Sequence, residues 1–130
     1  MRLIRDDDTA KYVIDRYFGA DLCQPFAGFT VNEGDDIRGV VVLNNYEQGL
    51  SVDMTFAGRL DARSLRELAR YAFDGLKVRR VTAVTRESNR AARAALVRFG
   101  FHQEGLLRQR FHDENGVLYG LLPGDFPLRF

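Results

Sequence analysis

Cysteine and histidine are scarce in this chain, tryptophan is absent, and no apolar run is long. The single cysteine, Cys23, excludes an internal disulfide and a cysteine-based metal site, and is read as a small apolar core residue. His102 and His112 are too few and too isolated to hold a metal, so none is expected. No apolar stretch approaches the ~20 residues of a membrane-spanning helix. The opening Met1-Arg2-Leu3-Ile4-Arg5-Asp6-Asp7-Asp8 turns acidic too early for a secretory signal. These absences point to a cytoplasmic protein in a reducing setting, with no membrane partner. What is present is ordinary globular material: 130 residues, 45% hydrophobic, enough for one domain spanning 1–130 with its own core.

The formal net charge is only +1, but its distribution is uneven. Residues 1–58 carry five basic and ten acidic side chains, residues 59–110 carry thirteen basic and five acidic, and residues 111–130 carry one and three. Such asymmetry suits a polyanionic partner for the middle of the chain. Nearly all of that positive charge is arginine, whose planar fork matches phosphate. An arginine-rich codon bias explains the same composition. Nucleic acid is disfavoured as the partner, because net charge is near neutral and no helix-turn-helix or aromatic stacking motif accompanies the arginines.

Periodicity sets out the elements. Ala10, Val13, Ile14, Tyr17 and Phe18 predict a helix over 7–18, with acids at its start and Gly19 after its end. A short strand is expected at 29–32, and an apolar β-branched strand at 37–43. The alternating run Leu50-Ser51-Val52-Asp53-Met54-Thr55-Phe56 completes an antiparallel hairpin with it. Asp61 caps a second helix running to about 74, a strand covers 80–85, and Ser88 caps a third helix that runs through Phe99. Strand–helix–strand–helix order from 50 to 99 implies right-handed crossovers and a locally parallel pair. A C-terminal hairpin, 106–111 with 117–122, is expected around the Asn115-Gly116 turn signal. The result is an α/β (α+β) domain with a mixed, mostly antiparallel sheet and about three helices.

The stretch from Val78 through Thr85, then Arg86-Glu87-Ser88-Asn89-Arg90-Ala91-Ala92-Arg93, Leu96, Phe99-Gly100-Phe101, Glu104-Gly105 and Arg108, resembles the C-terminal half of GNAT N-acetyltransferases. It is most similar to the branch that acetylates ribosomal-protein N-termini. Tyr71-Ala72-Phe73 and Leu118-Tyr119-Gly120-Leu121-Leu122 extend the likeness toward short phage- and prophage-encoded members. The resemblance covers residues 64–122 and is vague before them.

That resemblance implies a GNAT-like sheet in which strands 50–56 and 80–85 splay apart at their C-terminal ends. Pantetheine of acetyl-coenzyme A would enter there as a surrogate strand against the main chain of Met54, Thr55 and Phe56. Pyrophosphate would lie at the start of the second helix, near Gly58, Arg59 and Arg63. Asn89 would contact the cofactor or cap its helix, and Arg93 would meet phosphate or solvent. Asp53 is the first candidate for the base that takes the amine proton, and Glu33 the second. An ordinary carboxylate is a weak base, so such a role needs a raised pKa or a water relay.

Two departures from the family pattern stand out. Phe56-Ala57-Gly58-Arg59-Leu60-Asp61-Ala62-Arg63 has one glycine where active members have more, and Asp61 competes with phosphate for the same N–H groups. Leu96 stands where many members carry the tyrosine that protonates the departing thiolate, leaving Tyr119 or a water for that role. Two functions therefore remain open: acetyl transfer from acetyl-CoA to a primary amine, such as a peptide N-terminus or small amine, and an inactive GNAT-fold protein that binds a protein or ligand in the same groove. The apolar Phe126-Pro127-Leu128-Arg129-Phe130 is read as docking on a neighbour, giving a homodimer, or on its own sheet.

Overall fold

Alternation of buried and exposed residues places strands and helices where the sequence pattern expects most of them. The structure is a computed structural model that describes residues 1–18 and 27–125. Cys23 and the segment 126–130, to which the sequence assigns a core position and a docking role, lie outside the described residues.

In chain order the elements are β1 (Arg2–Arg5), α1 (Asp7–Phe18), β2 (Ala27–Glu33), β3 (Asp36–Glu47), β4 (Ser51–Gly58), α2 (Ala62–Arg70), β5 (Arg80–Arg86), α3 (Arg90–Arg98), β6 (His102–Leu107) and β7 (Gly116–Leu121). Among the described residues they form one sheet in the order β1-β2-β3-β4-β5-β7-β6. Every neighbouring pair is antiparallel except β4 with β5. Among the described residues three α-helices cover the two faces.

The sheet is sandwiched because β3 is apolar on both faces. Val40 and Val42 pack with Ala57 under Ala10 and Ile14 of α1. Val41 and Leu43 face the other way and join Val52, Met54, Leu65, Leu68, Leu96 and Tyr119 in the larger core under α2 and α3. Period-two alternation on β4 then sorts its side chains: Val52 and Met54 are buried on the α2 side, and Asp53, Thr55 and Ala57 turn to the α1 side.

Four details differ from the sequence expectation. β1 was not anticipated, since Arg2-Leu3-Ile4-Arg5 is too short to show a period; it is an edge strand paired with Phe29–Asn32. α2 ends at Arg70 and continues as a π-helical turn, Tyr71–Gly75, in which Leu76 N donates to Tyr71 O at 2.8 Å. The third helix begins at Arg90 and is capped by Asn89, as the capping reading of that residue has it, with Ser88 one position outside.

The C-terminal strands pair four residues earlier than the Asn-Gly signal suggests, β6 being 102–107, with 108–115 as the connection. Asn115 holds that connection by accepting Gln109 N at 2.9 Å. Gly116 opens β7 opposite Arg86 and has no room for a side chain there, since a Cβ would stand 2.9 Å from Arg110 Cβ and 3.0 Å from Val84 Cγ1. Glu104, at the bulge of β6, reaches over β7 to Arg80, passing above Gly120, whose missing side chain makes room for the ion pair.

Gly58 ends β4 with φ +83, and a Cβ there would meet Arg38 O at 2.5 Å. Gly34 also has positive φ but open space around it. Gly58→Ala should therefore cost about 2–4 kcal/mol and Gly34→Ala about 1 kcal/mol, since the first adds a backbone clash to the same φ penalty. Urea unfolding of the two variants checks the ordering; equal losses would remove the tight crossing of β3 and β4.

Candidate functional site

The parallel pairing of β4 and β5 runs from Ser51–Arg80 to Met54–Ala83 and stops there. Beyond it, Thr55–Gly58 keep their partners on β3, and Val84–Arg86 keep theirs on β7. Each strand follows its antiparallel neighbour, so the sheet opens between them. By the alternation of an antiparallel ladder, every second residue of 55–58 turns its N–H and C=O into the opening. A cavity of about 200 Å³ lies over it on the helix side, walled by Phe56, Gly58 and Arg59 on one flank and Asn89, Ala92 and Leu96 on the other. Met54 is itself paired with Ala83, so the strand edge offered to a ligand starts at Thr55, one residue later than expected.

The start of α2 borders this cavity, and it is already occupied. Asp61 accepts from Ser64 N at 3.1 Å as the N-cap. Burial pushes the Asp61 carboxyl up, but the hydrogen bonds from Ser64, the Met1 ammonium at 3.6 Å and Asp61's own backbone N–H together leave the group below its ordinary range. Gly58 serves the crossing with Arg38, where Arg59 N donates to Arg38 O at 3.0 Å. Turn and cap thus account for this loop locally. Arg59 is exposed beside the cavity, and Arg63 pairs with Glu67 at 3.5 Å, one turn along α2.

At the start of α3, Asn89 faces the cavity while its Oδ1 accepts Ala92 N at 3.1 Å, as a cap does. The turn before it is clamped from the β6–β7 connection: Glu114 accepts from Ser88 N and Ser88 Oγ, both at 2.8 Å. Those two donors hold the Glu114 carboxyl below the usual carboxylate range. Arg86 adds a bond to Asp113 at 2.9 Å and lies over the Phe111 ring.

Arg93 does not face the cavity. Its Nε donates to Tyr119 Oη at 3.1 Å and its Nη1 to Glu87 O at 3.1 Å, so the expected phosphate ligand is turned to β7 and half-buried. Tyr119 is 1% exposed and in register with Ala83, the last residue of β5 that pairs with β4.

Asp53 sits two residues before Thr55, where the opening begins, on the α1 side of the sheet, opposite the cavity. Its Oδ2 accepts Asn45 Nδ2 at 2.9 Å. The direct cross-strand partner of Asp53 is Asn44, which is 4% exposed. Thr82 is its partner on β5 and accepts Arg80 Nε at 2.8 Å. Asn44, Asp53 and Thr82 thus form a polar row across three strands, which sequence reasoning missed because Asn44-Asn45 reads as a turn. The signal available was an Asn pair directly before a strand that carries a lone Asp.

Glu33 is not part of this row. It pairs with Asp36, eight residues along β3 from Asn44, roughly 26 Å at the strand rise. Glu33 bonds Arg38 at 3.2 Å at the exposed hairpin tip. Asp53 and Glu33 therefore cannot serve the same reacting atom. Among the described residues no group of His, Cys, Asp and Glu could hold a metal, and no helix is long and apolar enough to cross a membrane.

No protein-family model matches the chain, and no curated protein matches it in sequence. Solved structures do match. The ribosomal-protein-S5-alanine acetyltransferase of Vibrio fischeri superposes with a TM-score of 0.67 at 16% identity, covering 78% of this chain and 64% of that one. RimJ of Mycobacterium smegmatis, solved with CoA-disulfide, gives 0.68 at 18%, covering 92% and 61%. A GCN5-related N-acetyltransferase of Brucella melitensis gives 0.64 at 23%, covering 82% and 55%. This chain thus spans less than two thirds of each of those chains. The mixed sheet with one parallel pair and three helices is the GNAT fold.

Two outcomes follow from these contacts. An asparagine caps a helix as well as an aspartate does but carries no charge. Asp61→Asn should therefore leave the urea midpoint nearly unchanged while tightening any phosphorylated ligand at α2 about threefold to tenfold; calorimetry with coenzyme A against its dephosphorylated pantetheine reads the difference. For Glu114, a lowered folded value means that its stabilisation is complete above the ordinary carboxylate range and is lost as pH falls through the depressed value. The urea midpoint should stay flat between neutral pH and about pH 5 and then fall, less steeply in Glu114→Gln, which keeps an acceptor without titrating.

Proposed function

We propose that the chain is an acyl-CoA N-acyltransferase that moves an acetyl group from acetyl-CoA to a primary amine. The observation that carries this is the opening between β4 and β5, with a cavity on one face and a carboxylate at its base on the other. Two reactants can approach one point from opposite sides of a sheet only where the sheet has a gap. The same fold in a structure solved with CoA-disulfide supports it.

The residues fit the coenzyme in part. A cavity of about 200 Å³ is smaller than the ~300–1,000 Å³ that encloses a whole drug-sized ligand, so it suits the pantetheine arm and leaves the nucleotide outside. The edge from Thr55 to Gly58 offers hydrogen bonds to the arm and holds the thioester oxygen as it gains charge. Asp61 excludes a phosphate from the Ser64 N–H, so Arg59, with Arg63, meets the phosphates instead, and Asn89 borders the arm.

Acetyl-CoA supplies an activated acyl group, and the protein's part is to bring an amine onto it. The amine nitrogen forms a bond to the carbonyl carbon, and the carbon–sulfur bond breaks. One amine proton passes to Asp53, directly or through water, and the departing sulfur takes a proton from Tyr119 or from water. Arg93 donates to the Tyr119 oxygen, which leaves the phenolic proton available. The peptide N-terminus is the proposed acceptor, by resemblance to ribosomal-protein acetyltransferases, in a cytoplasmic setting and as a monomer or homodimer.

A second reading, a GNAT-fold protein without turnover that uses the groove for binding, is favoured by the occupied start of α2. Calorimetry with acetyl-CoA and with desulfo-CoA, followed by thiol release with an Ala-led hexapeptide and with small primary amines, separates the two. Transfer predicts micromolar binding and thiol release that Asp53→Asn lowers by about 10²–10⁴-fold with acetyl-CoA affinity kept. No binding at millimolar acetyl-CoA contradicts it.

A further inference from the structure

Beside Asp53 stands a polar atom without a partner. Asn44 Oδ1 is fully buried and receives no hydrogen bond. Buried polar atoms of this kind are rare, because each loses its water without compensation, and a functional role is one reason they persist. Ser64 Oγ, Arg66 Nε and Thr85 Oγ1 are the others among the described residues, and none of them adjoins a carboxylate in register as Asn44 does. Asn44 belongs to a strand whose other residues on the same face, Val40 and Val42, are apolar core. A valine or leucine at position 44 would continue that pattern, so packing alone gives no reason for an amide there.

Its location supplies one. Asn44 and Asp53 are direct antiparallel partners, so their side chains lie on one face with Cβ atoms about 4.5–5.5 Å apart. Asn45 sits in the left-handed region at φ 51 and fixes Asp53 through Oδ2, leaving Oδ1 without a hydrogen bond among the described residues. Asn44 Oδ1 and Asp53 Oδ1 therefore belong to neighbouring strands on the α1 face, level with the paired end of the seam and two residues before Thr55, where the sheet opens. Thr82, on the other flank, already accepts from Arg80.

Resting on the acetyl-transfer reading, we propose that Asn44 orients the acceptor amine and restricts it to primary amines. A neutral primary amine has two N–H groups and one lone pair. One N–H meets Asp53, which takes that proton as the new carbon–nitrogen bond forms. The other meets Asn44 Oδ1 and stays on the nitrogen of the product amide. With both hydrogens held toward β3 and β4, the lone pair is left to face the gap where the carbonyl lies. A secondary amine has a single N–H and cannot satisfy both oxygens.

The test compares an Ala-led hexapeptide with its N-methyl-Ala counterpart, or whichever small primary amine releases thiol with its N-methyl derivative. The wild-type protein should prefer the primary amine by about tenfold to a hundredfold in kcat/KM, the range of one hydrogen bond to a reacting group. Asn44→Leu should lose that factor on the primary amine and little on the methylated one, so that the preference collapses. Asn44→Val, which matches its strand neighbours, should do the same if the leucine does not fit. Acetyl-CoA affinity should stay within about twofold and the urea midpoint should hold or rise, because an unsatisfied buried acceptor is gone. Absence of a primary-amine preference in the wild type, or its survival in both variants, would overturn the role of Asn44 while leaving acetyl transfer intact. A wild-type protein that neither binds acetyl-CoA nor releases thiol would sink both.

Discussion

Four parallel residue pairs, Ser51–Arg80 to Met54–Ala83, join two antiparallel blocks into one sheet. One block is β1–β4 and the other is β5–β7–β6. β4 is held to β3 and β5 to β7 by longer ladders than the one between them, so each stays with its own block when the twist of the sheet pulls the blocks apart. Everything assigned to a ligand depends on that short seam: the freed edge at Thr55–Gly58, the cavity beneath α2 and α3, and the carboxylate at the base of the gap.

The two faces of the seam carry different chemistry. On the helix side are an apolar arm-sized cavity and the starts of two helices, each already capped by its own side chain, Asp61 and Asn89. Capping stabilises the helices but takes N–H groups that an anion would use, so phosphate binding falls to arginine side chains. On the α1 side is the row Asn44, Asp53 and Thr82. The network of Ser88, Glu114, Arg86 and Asp113 lies between these functions, tying the β6–β7 connection to the start of α3 and so fixing where Asn89 stands. Several of the arginines that make the middle of the chain basic are engaged in ion pairs: Arg63, Arg80 and Arg86 each face a carboxylate.

Periodicity made much of this legible before any coordinates. The alternation at 50–56 and 80–85 located the parallel pair, and the helical stripe after Asp61 located α2. Elements shorter than a period or built on tertiary contacts were not legible. Arg2–Arg5 is too brief to alternate, and the Asn115-Gly116 signal pointed to a tight turn where contacts with Arg110, Val84 and Gln109 impose a longer connection. Arg93 read as an outward residue because its pull toward Tyr119 comes from a strand 26 residues later. Asn44 was hidden for a similar reason: its meaning lies in the register with Asp53, and register is set across strands.

The seam can be interrogated directly by following backbone amide resonances as desulfo-CoA, which cannot react, is added. The account predicts that shifts concentrate at Thr55–Gly58 and Asn89–Ala92, with β1 and β6 quiet. Shifts that centre instead on Leu50, Arg79 and Leu122 at the far end of the sheet, or none at millimolar ligand, would contradict it.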